Sequence, residues 1–391
     1  MTAILVAGAL ANKPGNGGEA WVRLSWLAGL RRLGFDVCFV EQLAPGVCVG
    51  PEGTPAPFRG SRNLAYFRRV VERFGLTASS SLIYDDGAQV FGMTEGELLA
   101  RAEAAVALIN ISGHLTDEPL LRRCKRKVYI DLDPGFTQYW HADGRPLGLE
   151  SHDHHFTVGE NVGTTAFPIP TGGIRWRPIR QPVVLDDWPA CHDGMPDRFS
   201  TVGTWRGPFG PVTHGERTFG LKVHEFRKFV ELPLHAPGAF ELALDIHPED
   251  QDDRASLERH GWRLVNPGHV AGEPDAFRAY VQRSGAEFSV AQGIYVETAS
   301  GWFSDRTVRY LASGKPALVQ DTGFGRNLPT GEGLIAFTTM KEAVTGAEEI
   351  VTDYQRHSLA ARRLAETYFD SDVVLTSLLE TIGVTPPVLR R

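Results

Sequence analysis

The chain has 391 residues, 42% hydrophobic and 22% charged, an ordinary globular composition but too long for one usual core, so two domains are expected. A net charge of −7 lacks the basic footprint of a nucleic-acid-binding protein, and nucleic acid is not an expected partner. Four cysteines (Cys38, Cys48, Cys124 and Cys191) without C-x-x-C spacing argue against a zinc knuckle or a disulfide framework, and suit a reduced, cytoplasmic setting.

The N-terminus, MTAILVAGALANKPGNGG, has no basic leader and reads as a first strand, Ala3–Leu10, not a signal peptide. No apolar run approaches the ~18–20 residues of a membrane span. After that strand come Gly15-Asn16-Gly17-Gly18 and an amphipathic helix over Glu19–Leu33, stopped by Gly34. Asp36–Gln42 is the second strand. Strand, glycine loop, helix, strand is the opening of a doubly wound sheet. The same pattern admits an NAD(P)-dependent oxidoreductase, with the glycine loop on the dinucleotide and Glu41 on its ribose, although G-x-G-G is not the G-x-G-x-x-G fingerprint.

Asn63–Phe74 and Glu95–Ala105 carry helical patterns. Val106–Ile111 and Lys127–Leu132 are strands ending in Ser112-Gly113-His114 and Asp133-Pro134-Gly135. Chemistry in open α/β sheets collects at the carboxyl ends of strands, so His114 and Asp133 are candidate acceptor bases, His114 because it titrates near neutrality. Glu19, beside the glycine loop, is a third catalytic candidate. In Ser151-His152-Asp153-His154-His155 the neighbouring residues of a strand face opposite sides, so no metal site is expected there or elsewhere.

A Pro- and Gly-rich run, IPTGGIRWRPIRQPVVLDDWPACHDGMP, reads as an interdomain connection. A second sheet opens at Phe199–Thr204, followed by Trp205-Arg206-Gly207, a helix over Leu221–Glu231, and strands at Phe240–Ile246 and Arg263–Val265. Then comes the most informative stretch, EFSVAQ, GIYVETASGW and FSDRTVRYLASGKPALVQDTGFG. It reads as strand, loop, helix, strand, with Ser304 and Asp305 as N-cap types and Gly314 as the helix stop. The start of such a helix offers free N–H groups and a positive dipole end to a phosphate or diphosphate. Lys341–Tyr354, Arg356–Phe369 and Ser371–Ile382 close the chain as helices.

The segment RYLASGKPALVQDTGFG resembles the donor-site helix of GT-B type nucleotide-sugar-dependent glycosyltransferases, with the group 1 and CgeB-like donor-domain pattern. The resemblance implies an α/β fold of two facing Rossmann-like domains. The acceptor domain would span 1–180, a linker 181–196, the donor domain 197–370, and a helix at 371–391 would cross back to the first domain. It implies sugar transfer from a nucleoside diphosphate sugar to a small-molecule or glycan acceptor, with no cofactor beyond the donor substrate. Gly203, Thr204, Arg206 and Lys222 would meet the diphosphate, with Ser304, Asp305, Arg306 and Thr307 at the helix start. His269 would lie beside the nucleobase, and Gly17 and Gly18 would border the transferred sugar. Tyr310 stands where the family's ribose-binding glutamate is expected, which leaves a non-catalytic sugar-nucleotide-binding protein as a further alternative.

Overall fold

A computed structural model describes residues 2–164, 169–191 and 196–387; positions 192–195 of the expected linker lie outside the described residues. The chain divides into two compact units. The first comprises Met1–Leu132, Pro146–Thr157 and Ser371–Arg391, and the second Asp133–Arg145 and Val158–Asp370.

In the first unit β1 (Ala3–Ala7), β2 (Asp36–Leu43), β3 (Ser80–Tyr84), β4 (Gln89–Gly92), β5 (Ala105–Ile111), β6 (Lys127–Asp131) and β7 (His154–Thr157) run in the order β4-β3-β2-β1-β5-β6-β7. All neighbours are parallel except β3 and β4. Setting β4 aside, the parallel strands follow the doubly wound order 3-2-1-4-5-6. β1 is buried on both faces, with Leu5 opposite Cys38 on one side and Leu108 on the other. The β3–β4 hairpin is absent from the reading of the sequence because SSSLIYDDGAQVFG is short and serine-rich. Its turn signal is Asp85-Asp86-Gly87, all three at positive φ.

The helix Gly17–Arg32 is capped by the Asn16 side chain, which accepts from Glu19 N–H, and buries Trp21, Trp26, Leu27 and Leu30. Gly29 sits inside it, where glycine costs about 1 kcal/mol relative to alanine. The reason is the helix Ser371–Thr381: a Cβ at position 29 would stand 2.6 Å from Leu375 and 2.8 Å from Ser371. Arg32 adds an ion pair to Asp372 at 3.2 Å. The last helix thus packs in the first unit.

The second unit contains β8 (Trp176–Pro178), β9 (Arg198–Thr204), β10 (Val212–His214), β11 (Arg217–Phe219), β12 (Ala239–Asp245), β13 (Arg263–Leu264), β14 (Ala286–Ser289), β15 (Ala317–Gln320) and β16 (Leu334–Phe337). Its main sheet is parallel, in the order β13-β12-β9-β14-β15-β16, again 3-2-1-4-5-6. One side is filled by aromatic rings: Phe288 stacks on Phe337 at 5.4 Å and Phe199 on Phe240 at 5.0 Å. The expected helix over Leu221–Glu231 is broken into Lys222–Phe226 and shorter turns, and Pro233 lies in the last of these.

Two stretches expected in the first domain or the linker pack instead within the second unit. Helix Phe136–Ala142 buries Phe136 and Tyr139 against Phe219, Ile294 and Tyr295. The Pro-rich run is anchored by Trp176 and Trp188, both buried, and by Val183 N–H bonding to Phe369 O at 2.8 Å. Its punctuation breaks regular structure, yet its tryptophans supply core. Among the described residues no helix is long and apolar enough to cross a membrane.

Candidate active site

The strand order of the second sheet reverses between β9 and β14, the place where an open α/β sheet forms its ligand crevice. β9 ends in Gly203 and Thr204, and β14 in Ser289. Gly203 is where the cations meet: a Cβ there would lie 3.1 Å from Lys222 Nζ and 3.8 Å from an Arg306 Nη. The missing side chain keeps that space open.

Arg306 is locked in place. Its Nε donates to Glu287 Oε1 at 2.6 Å, one Nη to Val202 O at 2.7 Å, and the other Nη to Ser289 Oγ. Glu287 is fully buried on β14, and Arg306 is 13% exposed, so the pair is mutually necessary. Lys222 is different. It makes no hydrogen bond or ion pair among the described residues, and it is half-buried beside a guanidinium. Burial first, and the Arg306 charge second, push its ammonium down to about 7, with Glu287 opposing them. An unpaired cation held against a like charge is poised for an anion.

The helix Asp305–Ala312 starts beside this group, with Ser304 Oγ accepting from Arg306 N–H at 3.2 Å. A small recess at its start is walled by Ser289, Trp302, Ser304, Thr307, Gln320 and Thr322. The structure therefore brings together Gly203, Lys222, Arg306, Ser304 and Thr307. Asp305 turns along its own helix to pair with Arg309 at 2.9 Å.

The other expected donor contacts lie elsewhere. Arg206 forks onto Asp250, with both bonds at 2.9 Å, and reaches Glu249 at 3.4 Å, so its charge is already matched. Thr204 is exposed at the end of β9, and His269 is exposed on the one-turn helix Pro267–Ala271. Tyr310 is fully buried, with its hydroxyl on Ser200 Oγ at 2.8 Å and its pKa raised by burial. It is a core residue. Glu287 escaped the sequence reading, although a carboxylate inside the apolar run AEFSV is the informative kind of exception.

In the first unit Glu19 pairs with Lys13 at 3.1 Å and with Arg23, one turn along the helix that Gly17 and Gly18 begin. Burial raises the Glu19 carboxyl, but Arg23 and Lys13 together hold it down at about 2. Burial, Arg23 and Lys13 push His114 down to about 4, so it is neutral at pH 7 and a weaker base than the sequence suggests. The preceding Ser112 and Gly113 are both at positive φ. Asp133 belongs to the second unit, and its Oδ1 accepts the Tyr295 hydroxyl at 2.8 Å.

Glu41 is 1% exposed, and its two carboxylate oxygens accept Ala11 N–H at 2.6 Å and Asn12 N–H at 2.7 Å. It braces the loop after β1 and is not offered to a ribose, so the oxidoreductase reading is not favoured. His152 Nδ1–H donates to Gly148 O while its Nε2 accepts from the Asn110 amide, and His155 Nε2–H donates to Leu149 O. No group of three or more His, Cys, Asp or Glu side chains among the described residues could hold a metal ion.

No protein family model and no curated protein matches the sequence. Solved structures do match the fold. An alpha-glucosyltransferase in complex with UDP-glucose and DNA containing an abasic site is 13% identical, with a TM-score of 0.60 over 98% of this chain and 99% of that one. HepE from Anabaena, in complex with UDP and glucose, is 12% identical, with a TM-score of 0.59 over 98% and 100% of the two chains. The sucrose-phosphate synthase of Thermosynechococcus elongatus is 11% identical, with a TM-score of 0.55 over 98% of each. Two doubly wound units and near-complete coverage of these structures establish that the chain has the GT-B fold, with two Rossmann-like domains.

Proposed function

We propose that the protein is a glycosyltransferase that moves a hexose from a nucleoside diphosphate sugar to a small-molecule or glycan acceptor, with the second unit holding the donor. The observation that carries this is the unpaired Lys222 ammonium over side-chain-free Gly203, backed by Arg306, at the reversal point of the sheet. The helix starting at Asp305 adds free N–H groups and a positive dipole end beside it. UDP or UDP-glucose accompanies several structures of this fold, which makes UDP-glucose the first donor to test.

As the bond from the sugar C1 to the diphosphate oxygen breaks, negative charge grows on the leaving diphosphate. Lys222 and the helix start would receive that charge in fixed positions, with Arg306 keeping the local field positive. Such a grip needs no metal. Neither Glu19 at about 2 nor His114 at about 4 is a strong base at neutral pH. Of the three candidate bases that leaves Asp133; without a base, the leaving phosphate itself would take the acceptor proton, with retention. The net charge of −7 favours a small or glycan acceptor over a polyanion, and the four free thiols suit a reducing cytoplasm.

The test is calorimetric titration of the purified protein with UDP, GDP, ADP and NADH. Binding of a nucleoside diphosphate, with none of NADH, is the expected result; the reverse would sink the reading.

A further inference from the structure

Glu19 and His114 are poor bases, so the polar cluster they belong to in the first unit needs another reason. The order of that unit's sheet reverses between β1 and β5, where an open α/β sheet forms its crevice. Gly8 follows β1, and Ser112-Gly113-His114 follow β5. Arg23 lies at this place and is only 2% exposed. One of its Nη atoms donates to Glu19, to both the carboxylate and the backbone oxygen. Among the described residues its Nε and its other Nη donate to nothing, and the Nε is shut off from solvent. These two nitrogens form the side-on edge of a guanidinium, which grips an oxyanion through two parallel bonds. The neighbour of that edge is a glycine: a Cβ at Gly8 would stand 3.3 Å from the Nε. Buried donors of a cation are costly to leave open unless a ligand completes them.

The surroundings are cationic. Lys13 reaches Glu19 at 3.1 Å, so one carboxylate serves two cations. A Cβ at Gly15 would stand 3.0 Å from an Arg62 Nη, which brings a third cation to the same loop. Glu41 is the other carboxylate here; burial pushes it up to about 7, and the Ala11 and Asn12 amides occupy both its oxygens. At pH 7 three cations therefore face one full and about half of a second negative charge. His114 is neutral and lies in the field of Arg23, Lys13 and Glu19. The helix Gly17–Arg32 starts in the loop after β1, and Asn63 Nδ2, on Ala11 O at 2.8 Å, ties the start of Arg62–Arg73 to that loop. Lys13 and Glu19 are 35% and 30% exposed, so the cluster is open on one side. A surplus of more than one positive charge matches a phosphate monoester, about −1.5 to −2 at pH 7, better than the single charge of a carboxylate.

We propose that Arg23, with Lys13 and Arg62 beside it, binds the phosphate monoester of a small molecule in the first unit. The site uses none of the residues of the diphosphate grip and does not rest on the donor reading.

Inorganic phosphate, glucose 6-phosphate, glucose and acetate are titrated calorimetrically into Lys222→Met protein, which lacks the open cation of the donor side. The same titrations follow with Arg23→Lys, Lys13→Met or Arg62→Met added. Arg23→Lys keeps a charge beside Glu19 and deletes the side-on edge, and circular dichroism confirms each fold. The expected result is one equivalent of phosphate or glucose 6-phosphate bound, with glucose silent and acetate at least about tenfold weaker. Arg23→Lys then weakens both phosphates about 10- to 150-fold, the range for charged hydrogen bonds. Lys13→Met and Arg62→Met weaken them about two- to fivefold each. Should Arg23→Lys not fold, these two variants carry the test, because both side chains reach solvent. Absence of phosphate binding, or binding that the folded variants leave unchanged, overturns the proposal. Acetate binding as tightly as glucose 6-phosphate overturns the choice of a phosphate. UDP binding to wild type is read separately, so the donor reading stands or fails on its own.

Discussion

Replacing Lys222 with methionine keeps the length and apolar stem of the side chain and deletes its charge. A charged hydrogen bond contributes about 1.5–3 kcal/mol, so the dissociation constant for UDP should rise about 10- to 150-fold. The fold should survive, because Lys222 makes no hydrogen bond or ion pair among the described residues. The pH dependence is the sharper test. The free ammonium titrates at about 7, and a bound diphosphate raises that value by favouring the charged form. Affinity is therefore full below pH 7 and declines as pH rises through it. Between pH 6 and pH 8 the protonated fraction falls about tenfold, and so should this contribution to binding. Lys222→Arg stays charged throughout, so the ratio of wild-type to Lys222→Arg dissociation constants cancels the titration of UDP itself. That ratio should climb about tenfold across the interval. A flat ratio, or wild-type affinity in Lys222→Met, would refute the assignment.

Arg206→Ala should change UDP affinity by less than about threefold, because a charge already matched by two carboxylates has little left for a ligand; calorimetry checks this. Gly29→Ala should destabilise the protein by about 1–3 kcal/mol through overpacking against Leu375 and Ser371, read from the urea midpoint. Burial holds His152 neutral, with its pKa down at about 4. The unfolded chain therefore binds the extra proton between pH 6.5 and 4, and stability from this group, on the order of 2–3 kcal/mol, is lost as pH falls through that window. Urea midpoints at pH 7 and pH 5 should differ less in His152→Asn than in wild type.

Alternating strands and helices with glycine-bearing loops made the doubly wound architecture legible, since apolar period and chain punctuation are local properties. β16 and the β3–β4 hairpin were not legible, being four or five residues each, with serines or a charged turn at their borders. The site was legible in part for the same reason. Ser304 and Arg306 stand at a helix start that spacing reveals, and Lys222 follows a loop after a strand. Arg206 looked equally apt beside Gly203 and Thr204, but its partner Asp250 lies 44 residues further on. Likewise the bond from Tyr295 to Asp133 joins residues 162 apart. Only the fold reveals which charges are matched and which are left open. Tyr310 shows the converse: its position beside the motif drew attention, while its depth makes it core.

The most direct measurement is release of UDP from UDP-glucose by the purified protein, followed with and without saccharide acceptors. The donor reading predicts slow release from the wild type alone, acceleration by a suitable acceptor, and loss of both in Lys222→Met. A protein that binds UDP-glucose in titration yet releases no UDP with any acceptor would contradict the claim that it is a transferase and leave a sugar-nucleotide-binding protein in its place.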